Sequence, residues 1–307
     1  MKISIDIGYG HTKVKTEEKE FKFPTAVALA KTQMIETSST LFEGKKYLVG
    51  EEALRSAIMT RDYAFLYKYS PLLIFEAIRL AGCLNEKELE IHTGLSLYDL
   101  EKKAEFNAEC VNRKEEFKKR VGSFVVNDEQ YKHKIVLFAQ GQGSWSDFCS
   151  EHGYLDKGYE VLIDIGYRTN DILVFKDGSP NKAVSQADDK GINIIVAELR
   201  TILNKQYDIT LTEQEVSEIL KEKSISIYGA EKDLSNIISG VVDNYIDTIF
   251  SHLKAEFGSI LKSSKRVIIS GGGAYILKEY KDIFPSNIVF NHKGMYEFSN
   301  VRGYFNG

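Results

Sequence analysis

The pentapeptide Ile-Asp-Ile-Gly-Tyr occurs twice in this chain, at residues 5–9 and again at residues 163–167. Each copy lies between two runs of β-forming residues, which predicts a strand, a tight turn and a returning strand. An aspartate at a strand end can hold Mg²⁺, usually through water, and glycine amides in the turn can bind an anion. Two such hairpins facing each other across a cleft would therefore bind the phosphates and the Mg²⁺ of a nucleotide.

The first hairpin carries the fuller set of candidate groups. Asp6 ends its first strand and is a candidate for the Mg²⁺ shell and for catalysis, while Lys13 can place its ammonium on a β- or γ-phosphate. The residues predicted to meet the phosphates here are Gly8, Tyr9, Gly10, His11, Thr12 and Lys13. An ordinary hairpin with turn glycines is the alternative. A Walker loop is excluded, because no Gly-Lys-Ser or Gly-Lys-Thr follows and no helix is predicted to open there.

The second hairpin keeps the aspartate and the glycine but changes the rest of the turn. Asp164 is the second candidate for the Mg²⁺ shell or for the attacking water. The turn amides of Gly166, Tyr167 and Arg168 are predicted to meet the terminal phosphate. Asp171, in the returning strand, is expected at the surface in preference to a direct role in the site.

A third glycine-rich segment completes the pattern. Gly271, Gly272 and Gly273 follow a buried-type strand at residues 266–270 and precede a predicted helix. Backbone without side chains lets a flat adenosine pack closely and leaves helix N–H groups for a phosphate. Such a turn alone is a weak signal, but after two Asp-Gly hairpins it strengthens the hypothesis of a nucleotide site.

The elements that must position these residues follow the same order in both halves of the chain. In the first half, strands are predicted at residues 2–7, 12–16, 20–23, 88–94, 123–126 and 133–139. Helices are predicted there at residues 50–59, 71–81 and 99–120, and a further helix contains Trp145 and Phe148. In the second half, strands are predicted at residues 159–165, 171–176, 182–186 and 266–270, and helices from Gly191 and at 212–220, 233–257 and 275–283. Residues 212–215 also resemble a capping box.

This order predicts an α/β protein built from two ribonuclease-H-like domains, with mixed sheets flanked by helices and a nucleotide cleft between them. The first domain is expected to comprise residues 1–155 together with about 290–307, and the second residues 156–289. A long apolar stripe within residues 233–257 is interpreted as a face buried against a sheet, with a partner or membrane face as the alternative. The charge-dense residues 99–120 are interpreted as a solvated helical face.

Composition narrows the class of protein. The chain has 307 residues, a net charge of −4 and a sequence pI near 6.0, so direct binding of nucleic acid through a large basic surface is not expected. Its three cysteines are scattered and form no Cys-x-x-Cys pair, which is typical of reduced thiols. Neither a secretory leader nor an apolar run of transmembrane length is visible, so a cytoplasmic location without membrane contact is expected.

The residues described so far resemble the actin, Hsp70 and sugar-kinase superfamily, and within it the bacterial plasmid-segregation actins of the ParM/StbA group. Two further segments carry the resemblance. Residues 138–144 (Phe-Ala-Gln-Gly-Gln-Gly-Ser) are similar to the first connecting segment of these proteins, and residues 298–304 (Phe-Ser-Asn-Val-Arg-Gly-Tyr) to their C-terminal motif. The chain departs at Ala139, where proline is usual, and at Arg168, where eukaryotic actin has glycine.

The resemblance implies a Mg²⁺-dependent ATPase or GTPase that polymerises head to tail on binding nucleotide and disassembles after hydrolysis. It also implies a role in plasmid or DNA segregation through a DNA-binding adaptor protein. Gln140 would orient the attacking water, because hydrolysis depends on positioning more than on a strong base. Gly191 matches a superfamily position close to the phosphates. A small-molecule kinase of the same fold and a non-hydrolysing scaffold of the cell-division or pilus type remain as alternatives.

Overall fold

The computed structural model describes residues 1–30, 39–58, 62–86, 89–96, 113–291 and 295–307. The strands in chain order are β1 (Lys2–Ile7), β2 (His11–Lys15), β3 (Glu20–Pro24), β4 (Val27–Leu29), β5 (Thr40–Phe42), β6 (Lys45–Val49), β7 (Glu90–Leu95), β8 (Ser123–Val126), β9 (Glu129–Lys132), β10 (Lys134–Ala139), β11 (Tyr159–Ile165), β12 (Asn170–Lys176), β13 (Ser179–Pro180), β14 (Gln186–Asp188), β15 (Ser224–Ile227), β16 (Ala230–Asp233), β17 (Ser264–Ser270) and β18 (Ile288–Phe290).

The described α-helices are α1 (Tyr63–Ala81), α2 (Arg113–Gly122), α3 (Gln142–His152), α4 (Asn193–Tyr207), α5 (Glu213–Glu222), α6 (Ser235–Ser263), α7 (Ala274–Lys278) and α8 (Ser299–Asn306). Short 3₁₀ helices cover Gly50–Ser56, Lys281–Ile283 and Tyr296–Phe298. Among the described residues, no helix is long and apolar enough to cross a membrane.

Each half of the chain builds one mixed sheet. The first sheet has the order β10-β7-β1-β2-β3, in which β1 runs parallel to β7 and antiparallel to β2. The second has the order β13-β12-β11-β17-β18, with β14 also paired to β12. There β11 runs antiparallel to β12 and parallel to β17, which repeats the arrangement around β1. The predicted α/β class with two mixed sheets is confirmed.

The long helix α6 shows why the apolar pattern produced this packing. The residues of its stripe are all buried: Ile238, Val241, Val242, Tyr245, Ile249, Leu253 and Phe257. They lie at spacings of three and four and belong to the same apolar cluster as Val161 and Val267 of β11 and β17. The interpretation of the stripe as a buried face is confirmed.

Several predicted element boundaries were wrong. Helix α1 begins at Tyr63, well before residue 71, because the Asp62 side chain caps it by accepting a hydrogen bond from the Phe65 amide at 2.9 Å. Pro71 therefore lies inside the helix. The segment predicted as a helix at residues 50–59 is a 3₁₀ helix that ends at Ser56.

Other corrections concern short strands. The strand predicted at residues 182–186 is confirmed only at its last residue, where β14 begins; residues 182–185 form no strand. Eight short strands were not predicted: β4, β5, β6, β9, β13, β15, β16 and β18. The helix predicted at residues 275–283 is shorter, since α7 ends at Lys278 and a 3₁₀ turn follows. Of the charge-dense stretch, only residues from Arg113 onward lie within the described part of the chain.

The capping-box prediction is confirmed at α5. The Thr212 hydroxyl accepts a hydrogen bond from the Glu215 amide, and the Glu215 carboxylate accepts one from the Thr212 amide. These reciprocal contacts satisfy two of the backbone donors that a helix start leaves unpaired. The helix whose start they fix borders the cleft described next.

Candidate functional site

The turns of the two Asp-Gly hairpins face each other across a cleft of about 670 Å³. Most of the predicted site residues line it: Asp6, Gly8, Tyr9, Gly10, His11, Lys13, Gln140, Asp164, Gly166, Tyr167, Arg168, Gly271 and Gly272. Thr12, Gly191 and Gly273 do not line it. The structure therefore brings together residues that are up to 266 positions apart in the sequence, from 6 to 272.

Asp6 is the centre of the first side of the cleft. It is almost completely buried, and it pairs with Lys13 across the β1–β2 hairpin. The Lys13 ammonium lies 3.2 Å from one carboxylate oxygen, and the Gln140 amide donates to the other at 2.8 Å. Lys13 and Gln140 were predicted to face a phosphate and a water. Both lie in the cleft, and both contact Asp6.

Asp164 lies on the opposite side of the cleft in a less favourable electrostatic environment. Burial, with the negative charge of Asp6 as the second cause, raises the pKa of Asp164 to about 6. The Asn300 side-chain amide donates to Asp164 at 2.7 Å, and the Ser144 hydroxyl donates to it at 3.4 Å. Two mutually repelling carboxylates therefore border the same space, and a cation between them would lower their repulsion.

The two carboxylates of the cleft suit Mg²⁺ better than a metal ion that is bound by protein side chains alone. The described residues contain no group of three or more Asp, Glu, His or Cys side chains that could hold an ion. Mg²⁺ is usually bound by one or two carboxylates together with waters and the phosphates of a substrate. Asp6 and Asp164 supply that number of carboxylates.

Asn300 has a structural role at the site that the sequence did not predict. Its side-chain oxygen accepts hydrogen bonds from the backbone amides of Gly141 at 2.9 Å and Ser144 at 3.1 Å, while its amide donates to Asp164. The asparagine of α8 thus holds the start of α3 against the second hairpin. Its position in the C-terminal motif, residues 298–304, was the available signal.

The expectation that Asp171 lies at the surface was wrong. Asp171 is 2 % exposed and accepts hydrogen bonds from the Ser96 hydroxyl at 2.8 and 3.0 Å and from the Thr169 hydroxyl at 3.2 Å. It stands directly opposite Asp164 in the β11–β12 ladder. Because residues that oppose each other in a ladder point to the same side of the sheet, Asp171 faces the first domain together with Asp164.

The glycine triplet divides into two roles. Gly271 has a φ of +82°, and a Cβ there would overlap the Asp164 carboxylate and the Ile165 carbonyl. Gly273 packs against Ile165, and its amide donates to the Ile165 carbonyl at 2.9 Å. The triplet therefore fixes the end of β17 against the second hairpin. Only Gly271 and Gly272 face the cleft.

Thr12 and Gly191 support the hairpins from outside the cleft. The Thr12 hydroxyl shares a hydrogen bond of 2.9 Å with the Thr25 hydroxyl, in the interior of the first domain. The Gly191 amide donates to the Arg168 carbonyl at 2.9 Å, behind the second turn. Their predicted contact with phosphate stays a prediction, and the geometry gives both a role in holding the turns.

At the other end of the cleft a side-chain network joins the two halves of the chain. Glu297 accepts hydrogen bonds from Lys22 of β3 at 2.9 Å and from Tyr275 of α7 at 2.5 Å. The neighbouring His11 has its pKa lowered to about 4, by burial first and then by Lys13 and other lysines. A neutral imidazole and a bound carboxylate thus line this end at neutral pH.

Two family models match the chain, one in each half. The model "Actin like proteins N terminal domain" matches residues 4–143, and "Archaeal actin homologue MreB-like, C-terminal" matches residues 162–281. Two curated relatives align with nearly the whole chain, and both are archaeal actin homologues. The one from Thermoplasma acidophilum is 24 % identical over 328 residues, covering 98 % of this chain and 97 % of the relative. The one from Thermoplasma volcanium is 24 % identical over 331 residues, with the same coverage.

Solved structures agree with this fold over the full length. A crystal structure of an archaeal actin homologue has a TM-score of 0.82 at 19 % identity and covers 99 % of this chain and 98 % of its own. Its complex with ADP has a TM-score of 0.80 at 19 % identity, with the same coverage. A 15-stranded ParM filament from Clostridium botulinum has a TM-score of 0.79 at 22 % identity, covering 99 % and 97 %. The predicted two-domain fold and the predicted resemblance are confirmed.

Proposed function

We propose that this chain, an actin-like protein with the fold of the archaeal actin homologues and of ParM, binds ATP or GTP with Mg²⁺ in the cleft and assembles head to tail into filaments. Hydrolysis of the nucleotide then favours disassembly. The observation that carries the proposal is the pair of Asp-Gly hairpins facing each other, with Asp6 and Asp164 close enough for one charge to raise the pKa of the other group. The ADP complex of one structural relative and the filament formed by another support it.

The cleft residues have distinct roles in this proposal. The Gly10 amide binds a phosphate oxygen, and Asp6 and Asp164 would hold Mg²⁺ through water. The amides of Gly8 and Gly166 donate to the carbonyls of His11 and Thr169 and hold the two turns in shape. Mg²⁺ would supply charge neutralisation at the phosphates. The Lys13 ammonium contacts Asp6 in the cleft. When the nucleotide enters, the same ammonium can also contact a phosphate.

Gln140 is assigned to positioning the attacking water. Its side-chain amide donates to Asp6 at 2.8 Å, which fixes the orientation of its carbonyl group. That carbonyl oxygen can accept a hydrogen bond from water and hold it for attack on the terminal phosphorus. A glutamine is too weak a base to take the proton of a substrate hydroxyl, so it suits hydrolysis better than transfer to a small molecule.

The proposal extends to domain boundaries, location and partners. We assign residues 1–155 and about 290–307 to the first domain and residues 156–289 to the second. The packing of α8 on β1, β2 and β7 of the first sheet supports the assignment of the C-terminal residues. The chain would act in the cytoplasm, where nucleoside triphosphates are available, and would move plasmid or other DNA through a DNA-binding adaptor. The net charge of −4 suits an adaptor better than direct contact with DNA.

Sedimentation with phosphate release measured in parallel tests the function. The purified chain is incubated with Mg²⁺ and ATP, GTP or their non-hydrolysable analogues, and pelleted polymer and free phosphate are measured. Nucleotide-dependent pelleting with phosphate release that needs no added acceptor is the expected result. Release only with an added small-molecule acceptor would indicate a kinase, and pelleting or binding without release would indicate a scaffold.

Substitution of Gln140 tests its assignment. We expect Gln140→Ala to slow phosphate release by about 100-fold, the typical effect of misplacing a reacting group by about 1 Å. Nucleotide affinity should stay within about threefold, since Asp6 and Lys13 remain in place. Gln142→Ala, two positions further at the start of α3, is the matched control. Normal release by the Gln140 variant would contradict the role.

A further inference from the structure

The backbone of the second turn is held from behind by residues 188–193, which we call the strap. Three consecutive carbonyls of the turn accept hydrogen bonds from strap amides: Gly166 from Ile192 at 3.1 Å, Tyr167 from Asn193 at 2.8 Å and Arg168 from Gly191 at 2.9 Å. The contact is close, because a Cβ on Gly191 would lie 2.5 Å from the Tyr167 carbonyl oxygen. The strap therefore fixes the orientation of three successive peptide units.

These hydrogen bonds also set the direction of the N–H groups of the turn. Every peptide unit in the described part of the chain is trans, so each C=O points opposite to the N–H of the next residue. The N–H groups of Tyr167, Arg168 and Thr169 thus point away from the strap. Because residues 166–169 line the cleft and Gly191 does not, that direction is toward the cleft. Successive N–H groups that face one space form an anion-binding concavity.

The strap is fixed in turn to helix α6. The Tyr245 hydroxyl donates to the Lys190 carbonyl at 2.9 Å, and the Lys190 amide donates to the Asp188 carboxylate at 3.0 Å. The other oxygen of Asp188 lies 3.3 Å from Nε2 of His252. Tyr245 and His252 are separated by about two helical turns, so both lie on the face of α6 that meets the strap. Burial raises the pKa of Tyr245 well above its ordinary value, so its hydroxyl remains a donor at neutral pH.

We propose that Tyr245 and His252 are positioning residues for the phosphates of the bound nucleotide. Through the strap they keep the N–H groups of the second turn directed into the cleft, although neither side chain lines it. The reason is electrostatic: a peptide unit that rotates replaces an N–H by a carbonyl oxygen, and that oxygen repels a phosphate. The assignment rests on the nucleotide binding proposed above, and it extends the site to a helix behind the second turn.

Hydrogen exchange tests the anchoring in the nucleotide-free chain, independently of the proposed function. Tyr245→Phe removes one hydroxyl and keeps the buried ring. We expect the amides of residues 191–193 to exchange faster by about 10-fold or more in this variant, because they open locally, while the amides of β17 keep their rates within about threefold. His252→Ala should act in the same direction. Tyr280→Phe is the matched control: its hydroxyl also meets α6, 3.5 Å from the Ser239 hydroxyl, and its loss should leave residues 191–193 unchanged.

Nucleotide binding tests the positioning role. Calorimetry with Mg²⁺ and the β,γ-imido analogues of ATP and GTP compares Kd in the unmodified chain and the same three variants. We expect Tyr245→Phe to weaken binding by about 5- to 10-fold, the effect of one weakened hydrogen bond, and Tyr280→Phe to leave Kd unchanged. In phosphate release the loss should appear in KM, and kcat should be kept at saturating nucleotide, because Asp6 and Gln140 are untouched.

The outcomes separate this inference from the proposed function. Unchanged exchange at residues 191–193 in Tyr245→Phe would overturn the anchoring. Faster exchange there with an unchanged Kd would overturn the positioning of the phosphates and leave Tyr245 a purely structural role. An unmodified chain that binds neither analogue would refute the proposed function and the phosphate role together, while the exchange result would still decide whether α6 holds the strap.

Discussion

The raised pKa of Asp164 predicts how the stability of the nucleotide-free protein changes with pH. The group titrates near pH 3.8 when unfolded and at about 6 in the folded protein. Between these values the folded state retains a proton that the unfolded state has lost, so the free energy of unfolding falls as pH rises through this window. The difference between these two pKa values corresponds to about 3 kcal/mol in the free energy of unfolding. This stabilisation is fully present below pH 3.8 and is lost above pH 6.

The substitution Asp164→Asn isolates this contribution, because asparagine has a similar size and does not titrate. Urea unfolding of both proteins at intervals between pH 4 and pH 7.5 gives the free energy of unfolding of each. We expect the variant to gain about 3 kcal/mol relative to the unmodified protein across this range. Substitution of an exposed carboxylate, Asp156→Asn, is the control and should leave the pH profile unchanged.

The outcome that refutes the reasoning is a parallel pair of profiles for Asp164→Asn and the unmodified protein. It would mean that Asp164 keeps its ordinary pKa in the folded protein. Interactions that favour the ionised carboxylate would then offset its burial and the charge of Asp6. Saturation with Mg²⁺ and nucleotide offers a second check. A cation beside Asp164 favours the ionised carboxylate, so the loss of stability toward pH 7 should then disappear.

Three further substitutions test the packing of α8, of β17 and of α5. Gly303→Ala would place a Cβ onto the backbone of Gly143, and we expect a loss of about 2 kcal/mol or more in urea unfolding. Arg266→Ala should lower the free energy of unfolding by about 3–5 kcal/mol, because it leaves the buried Glu160 carboxylate without its ion pair. The fluorescence of the single tryptophan should change as well, since its indole N–H donates to Glu160. Thr212→Ala should cost about 1 kcal/mol in thermal or urea unfolding through loss of the helix cap, and a larger loss would contradict a purely local role.

The parts of the site that the sequence predicted are those encoded by local patterns. The two hairpins follow from alternating β-formers around a tight turn, and the registers Asp6–Lys13 and Asp164–Asp171 are set within seven residues of the chain. The burial of α6 follows from its apolar period in the same way. Such signals depend on neighbouring residues, so one sequence is sufficient to read them.

What the sequence did not predict depends on partners far away along the chain. Asp171 is buried because Ser96, 75 positions earlier, closes over it. Asn300 reaches Asp164 across 136 positions and completes the connection between α3 and the second hairpin. A polar residue in a strand or helix gives no local sign of whether a distant hydroxyl or amide will meet it. The wrong expectation for Asp171 and the unassigned role of Asn300 have this common cause.

The position of α8 has a consequence for how the molecule is made. Its residue Arg302 contacts Glu20 of β3 across 282 positions, and Asn300 ties the start of α3 to Asp164. During synthesis the first sheet therefore emerges from the ribosome long before the helix that covers it. Closing so long a loop is slow compared with forming either hairpin. The contacts that α8 makes between the two halves of the cleft are thus among the last to form, and a nascent chain that stops before Ser299 lacks them, although it can still form the Ser96–Asp171 contact.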